Sequence, residues 1–144
     1  MPTALITGAS RGLGRRTAEK LARKGWDLLL VARSKDALNA LAADLRSHGS
    51  TVGVAALDLT DQATITPTLE RLLKSHQPPQ LLINNAGVMA PPRRTTAQGH
   101  ELQFGVNHLG HMALTQALLP LMQNRPDPRV VTVTSGAQYF GKIR

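Results

Sequence analysis

Apolar residues along this chain come in two alternating rhythms, short unbroken runs and longer amphipathic stretches. The runs Leu28-Leu29-Leu30-Val31 and Leu81-Leu82-Ile83 show no polar alternation, the pattern of strands buried on both faces. Five segments read as strands: residues 3–7, 27–32, 52–57, 80–84 and 129–134. Helical periodicity fills the gaps, over residues 12–24, 35–48, a third stretch between 61 and 76, and a long one from about 97 to 123. Leu38, Leu41 and Leu45 give the second helix a buried stripe. In the first, Leu13, Thr17, Ala18, Leu21 and Ala22 recur on one side, opposite Arg15, Arg16, Lys20, Arg23 and Lys24. Pro67 falls inside the third, where an interior proline costs about 3 kcal/mol. That helix therefore begins near Thr66 or kinks there.

Strands alternating with crossover helices predict an α/β fold, a doubly wound parallel sheet covered on both faces. With right-handed crossovers the strand order is 3-2-1-4-5. No repeat or linker divides the 144 residues, so a single domain over residues 1–144 is expected. The order reverses between the first and fourth strands, and ligands of such sheets sit in the crevice outside the carboxyl ends at that reversal. Two turn-rich segments converge there. One is Thr7-Gly8-Ala9-Ser10-Arg11-Gly12-Leu13-Gly14, the other Asn84-Asn85-Ala86-Gly87. Glycines let backbone N–H groups and a helix N-terminus approach a phosphate closely. The spacing Gly-x3-Gly-x-Gly differs from the usual dinucleotide fingerprint, and taken alone the turn serves equally as a tight strand-to-helix connection.

Composition narrows the picture. Hydrophobic residues make up 42% and aromatics 3%, so the core is built from Leu, Val, Ile and Ala. The absence of cysteine excludes disulfides and thiolate metal sites. No apolar stretch approaches a membrane span. The first residues run straight into a strand with no basic-then-apolar leader, which makes a cytoplasmic protein the expectation. The net charge of +8 raises the question of nucleic acid. Much of it lies on the first helix, where Glu19 interrupts the basic stripe and no aromatic side chain is interleaved for base stacking. A solvated helix face accounts for the stripe, and no nucleic-acid partner is expected. Arg11 suits the phosphates of a small ligand. His108 and His111 fit one helix face, but no carboxylate or cysteine completes a metal set, so they belong to packing or surface and no metal site is expected.

As a set, Thr7-Gly8-x3-Gly12-x-Gly14, Asp58, Asn84-Asn85-Ala86-Gly87, Asn107 and Ser135 resemble the short-chain dehydrogenases/reductases in content and order. Asn85-Ala86-Gly87-Val88-Met89 and Asn107-His108-Leu109-Gly110-His111 look most like the branch of retinol dehydrogenases and protochlorophyllide reductases. The resemblance covers the whole chain and implies a Rossmann-type dinucleotide-binding domain. It implies hydride transfer between a nicotinamide and a small-molecule carbonyl or secondary alcohol. By the same resemblance Thr7, Gly8, Ser10, Arg11, Gly12, Leu13 and Gly14 would hold the pyrophosphate. Asp58 with Leu59 would lie at the adenine, and Asn85, Ala86 and Gly87 along the cofactor. Asn107 would lend its backbone to a proton relay, and Ser135 would hydrogen-bond the reacting oxygen.

An NAD site places a carboxylate on the ribose 2′-OH about 20 residues after the glycine turn. Here the second strand ends Ala32-Arg33-Ser34. Arg33 and Arg11 would pair with a 2′-phosphate, whose geometry suits a guanidinium fork, so the cofactor expected is NADP(H). For Asp58 a turn-capping role competes with adenine contact. For Asn107 a buried, hydrogen-bonded asparagine competes with the relay.

The family also requires a tyrosine and, four residues later, a lysine on the next helix, so that the ammonium lowers the phenol's pKa. Tyr139-Phe140-Gly141-Lys142 has the wrong spacing, lies close to Ser135 and contains a glycine, so it reads as a loop. The expectation is therefore a truncated member of the family, inactive by itself, with the fifth strand an open edge inviting self-association or a homo-oligomer. Two alternatives stand beside it: a non-catalytic nucleotide-binding or interaction module, and a basic nucleic-acid binder.

Overall fold

A computed structural model describes residues 1–142. Strands β1 (Thr3–Thr7), β2 (Asp27–Ala32), β3 (Val52–Ala56), β4 (Leu81–Asn84) and β5 (Arg129–Thr132) form one parallel sheet in the order β3-β2-β1-β4-β5. Helices α1 (Gly12–Arg23), α2 (Lys35–Ser47), α3 (Ile65–Leu73) and α5 (His111–Met122) cover its two faces, and a single turn, α4 (Leu102–Phe104), precedes α5. The expected strand order and doubly wound architecture are those observed, with strand ends shifted by no more than two residues.

The unbroken apolar runs explain the three layers. Successive side chains on a strand point to opposite faces, so Ala4, Ile6, Leu28 and Leu30 meet Ala18 and Ala22 of α1 and Leu38, Leu41, Ala42 and Leu45 of α2. Leu5, Leu29, Val31 and Leu82 meet Ile65, Leu69 and Leu72 of α3 and Leu114, Leu118 and Met122 of α5. Each fully buried leucine here contributes about 1.5–3 kcal/mol relative to exposure. Leu13 departs from the expected stripe of α1. It is 59% exposed, because the core side of that first turn is occupied by Gly14 against the glycine turn itself.

Pro67 is the third residue of α3, within the first turn, where a missing N–H deprives the helix of little. A short 3₁₀ turn, Gln62–Thr64, leads into it. The helix expected to begin near residue 97 begins instead at Leu102. Gly99 takes φ +85°, and Glu101 caps the new start by accepting from the N–H groups of Gln103 and Phe104, both at 2.9 Å. Those two bonds hold the Glu101 carboxyl below its ordinary value. Between α4 and α5, residues Gly105–Gly110 are wound as a π-helix. The two glycines at its ends sit hard against neighbours. A Cβ on Gly105 would lie 2.5 Å from Thr96 Cγ2, and one on Gly110 would lie 2.5 Å from the Leu59 carbonyl oxygen.

Among the described residues β3 and β5 are the sheet edges, and every residue of β5 is exposed. No helix among them is long and apolar enough to cross a membrane. The packing at Gly110 has a direct consequence. Gly110→Ala pushes against backbone and should destabilise the chain by about 1–3 kcal/mol, whereas Gly136→Ala, with nothing near its Cβ position, should stay within about 0.5 kcal/mol. Urea midpoints of the two variants check this, and equal midpoints would refute the packing account.

Candidate functional site

The carboxyl ends of β1 and β4 lie side by side, Ile6 opposite Ile83, and their connections leave toward opposite faces. The Thr7 side chain fills the gap between them. Its Oγ1 accepts from the backbone N–H groups of Asn85 and Ala86, both at 2.9 Å, and lies 2.8 Å from His111 Nε2. Asn85 returns the contact by donating from Nδ2 to the Thr7 carbonyl at 3.1 Å. Asn84 is buried and donates from Nδ2 to Thr115 Oγ1 of α5 at 3.0 Å, leaving its Oδ1 without a partner among the described residues.

The three glycines of the turn have different tasks. A Cβ on Gly8 would meet Ala86 Cα at 2.8 Å, and one on Gly14 would meet the Gly8 carbonyl oxygen at 2.3 Å. Both are glycine because the turn is pressed against its own surroundings and against the 84–87 segment. Gly12 is different. It has φ +56° and open space where a Cβ would be. It opens α1, whose N-cap residue Arg11 makes no side-chain capping bond and whose first turn carries no acidic residue. The orphan N–H groups of that turn, with the positive end of the helix dipole, therefore face solvent, a setting suited to an anion.

Ser10 is half-buried, and Arg11 and Arg33 are exposed; neither arginine forms an ion pair among the described residues. Arg33 follows β2, whose Val31 pairs with Thr7, so both arginines lie at the same end of adjacent strands. Ser34 caps α2 by accepting from Ala37 N at 3.3 Å.

Other residues of the expected site have structural partners. One Asp58 oxygen, Oδ1, accepts from Thr60 N at 2.9 Å and from its hydroxyl at 2.8 Å, so the turn role weighed for it is filled. Leu59 is buried in the α3/α5 core against Gly110, which leaves its side chain no access to a ligand. Asn107 is exposed rather than buried, yet both amide atoms are used. Oδ1 accepts from Val88 N and Nδ2 donates to Val88 O, each at 2.9 Å. That pair clamps the Asn85–Gly87 loop to the π-helical segment. Ser135 is exposed, and its Oγ accepts from Ala137 N at 3.1 Å at the start of the 3₁₀ turn Gly136–Tyr139. The structure thus brings Thr7, Asn85, Ala86, Asn107 and His111 into one hydrogen-bonded group.

His108 and His111 part company. His108 is on the surface, stacked on Phe104 with ring centroids 5.2 Å apart. His111 is buried, with Nδ1 3.2 Å from the Asn107 carbonyl oxygen. Its place in the group was not legible from the sequence as anything beyond packing. The spacing of one helical turn from Asn107 was the available signal.

With this geometry in view, the chain matches the family model of the short chain dehydrogenases over residues 2–143. It belongs to that family. Mouse retinol dehydrogenase 12 is 42% identical over 142 residues, covering 97% of this chain and 45% of the mouse protein. Human retinol dehydrogenase 13 is 38% identical over 143 residues, 98% of this chain and 43% of the relative. The chain therefore spans less than half the length of these curated relatives. Among solved structures, a 3-oxoacyl-[acyl-carrier protein] reductase from Brucella melitensis in complex with NAD superposes with a TM-score of 0.83 at 31% identity, covering 96% of this chain and 57% of that one. The family is one of oxidoreductases that use nicotinamide cofactors.

Burial of His111 carries a pH signature. Desolvation pushes its imidazole below the ordinary value of 6.5, against a smaller opposing effect of the Asn107 carbonyl. Below that value the unfolded chain binds a proton that the folded chain resists. Stability is therefore full above about pH 6.5 and falls as the pH drops toward the lowered value. His111→Gln should flatten this part of the profile. Denaturant midpoints at about pH 7.5 and about pH 5.5 measure it, and parallel losses in both proteins would contradict it.

Proposed function

We propose that this chain binds NADP(H) in preference to NAD(H) and forms the nucleotide-binding part of a reductase or dehydrogenase acting on a carbonyl or secondary alcohol. The observation that carries the reading is the uncapped N-terminus of α1 with the open backbone at Gly12, flanked by Arg11 and Arg33, with no carboxylate at the end of β2. In this reading the α1 N–H groups take the pyrophosphate. The two guanidinium groups take a 2′-phosphate, which an NAD site would replace by an acidic side chain on the ribose hydroxyl. A bound nicotinamide would supply or accept the hydride. Asn85, Ala86 and Gly87 line its path, and Ser135 offers a hydroxyl proton to the reacting oxygen while its lone pair stays on Ala137 N.

The family's structures include one with NAD, so the preference for NADP(H) rests on this chain's own residues. Calorimetric titration should give tighter binding for NADPH than for NADH. Arg33→Asp should weaken NADPH by roughly tenfold or more, the loss of a charge-assisted hydrogen-bond pair, and narrow or reverse the preference. Equal affinities in the unmutated chain would overturn it.

A second reading, binding without turnover, is favoured by one specific feature. The only tyrosine, Tyr139, has Lys142 three residues on, and no Tyr-x-x-x-Lys occurs within these 144 residues. Positioned acid–base catalysis is worth roughly 10²–10⁴-fold, and Ser135 has no base beside it among the described residues. The 144-residue chain should therefore bind NADPH without measurable oxidation in the presence of aldehydes or ketones. Turnover that survives Ser135→Ala but disappears with Tyr139→Phe or Lys142→Ala would show that the terminal turn does the chemistry after all.

A further inference from the structure

His111 is the one buried imidazole in the crevice, and its two nitrogens have unequal partners. Nδ1 faces a backbone carbonyl, that of Asn107 at 3.2 Å. A carbonyl can only accept, so Nδ1 carries the proton. Nε2 of the neutral ring is then an acceptor, and the group 2.8 Å from it is the Thr7 hydroxyl. The direction of that bond follows: Thr7 donates and His111 accepts. The competing acceptor for the same proton, the Ile83 carbonyl, is 3.5 Å away, at the limit of a hydrogen bond.

The consequence lies on the other side of the hydroxyl. Oγ1 has two lone pairs, and two N–H groups point at it, those of Asn85 and Ala86. With its proton held by His111, both lone pairs are committed to the two amides, and every site on the oxygen is used. We propose that His111 is a positioning residue of the nucleotide crevice: as the Nδ1–H tautomer it takes the Thr7 hydroxyl proton and thereby locks the Asn85–Ala86 backbone to the end of β1. Without an acceptor there the hydroxyl turns toward Ile83, and its lone pairs rotate away from at least one amide.

The lock also sets the distance between the two loops that enclose the crevice. Gly8 has no room for a Cβ against Ala86 Cα, and Asn85 Nδ2 closes on the Thr7 carbonyl beside it. Protonation of the ring works against the lock. An Nε2–H would point at an oxygen with no lone pair left. No charged residue occurs in β1, β4 or α5, and the π-helical segment holds only the exposed His108. No side-chain charge from these elements therefore offsets the effect of burial on His111.

The effect on nucleotide binding rests on the nicotinamide reading above, whereas the hydrogen-bond assignment stands by itself, and the experiment separates them. In the cofactor-free chain, ¹⁵N-edited NMR should find a pyrrole-like Nδ1 and a pyridine-like Nε2 on His111. His111→Leu should speed amide exchange at Asn85 and Ala86 by about five- to tenfold, the worth of one neutral hydrogen bond, and weaken NADPH binding several-fold. His111→Gln, which returns an acceptor oxygen near the Nε2 position, should restore most of both. A Leu variant that leaves both amides unchanged would reduce His111 to packing and overturn the proposal, as would an Nε2–H tautomer in the unmutated chain. If the Leu variant does not fold, the wild-type tautomer and the exchange rates of the Gln variant decide the matter. Amides that respond as expected in a chain that binds neither NADPH nor NADH would refute the nicotinamide reading and leave the positioning role intact.

Discussion

A parallel sheet delivers all its carboxyl ends to one edge, and where its winding reverses it leaves backbone groups that no ladder can satisfy. In this chain the reversal lies between β1 and β4. The amides of Asn85 and Ala86 leave β4 just as the sheet stops supplying acceptors, and an unsatisfied buried donor costs about 1–3 kcal/mol. One hydroxyl, at the last residue of β1, takes both. Residue 7 must therefore be small enough to sit on a strand packed on both faces and must carry an oxygen. Threonine meets both demands and is also a good strand former. The positions of the glycine turn, the 84–87 segment and the start of α5 all depend on that contact.

The glycines around it divide between folding and ligand access. Gly8 and Gly14 are compelled by protein atoms within 3 Å of a would-be Cβ, and Gly110 is pressed against Leu59 in the same way. These positions would need glycine even in a protein with no ligand. Gly12, with free space about it, gains nothing in packing from lacking a side chain, although its positive φ favours glycine. A glycine-rich motif is thus a composite signal, and only part of it speaks for phosphate.

Strands and their order were legible in the sequence because unbroken apolar runs have few other uses. The residues expected to bind and react stood out only as a set in a known order, since taken singly each has a local explanation. Asp58 caps a turn through Thr60, Leu59 packs under the π-helical segment, and Asn107 clamps Val88. The α4–α5 region starts later than its periodicity predicts, for a tertiary reason. Residues 97–101 carry no strong helix breaker apart from Gly99, and the boundary is set by Glu101 reaching the next turn's amides. The π-helical winding was not legible at all. It arises where two glycines must approach Thr96 and Leu59, contacts distant in the chain. His111 illustrates the same limit, since periodicity can place an imidazole inside a fold but cannot say which nitrogen has which partner.

That partnership bears on where proton chemistry can arise. An imidazole is the side chain best suited to exchange protons near neutral pH, and His111 lies within the very group that joins the two loops of the crevice. It is nonetheless closed to a substrate: 5% exposed, with Nδ1 on the Asn107 carbonyl and Nε2 on the Thr7 hydroxyl. Moving a proton through it would break the contact that holds Asn85 and Ala86. The contacts at the ends of β1 and β4 therefore hold His111 in a structural role, and burial lowers its affinity for a second proton. Under the proposed function, a hydrogen bond to a reacting oxygen would come instead from beyond β5, where Ser135 is exposed and its hydroxyl hydrogen remains available. On that reading binding and chemistry would depend on different elements of the sheet, and a substitution in one need not disturb the other.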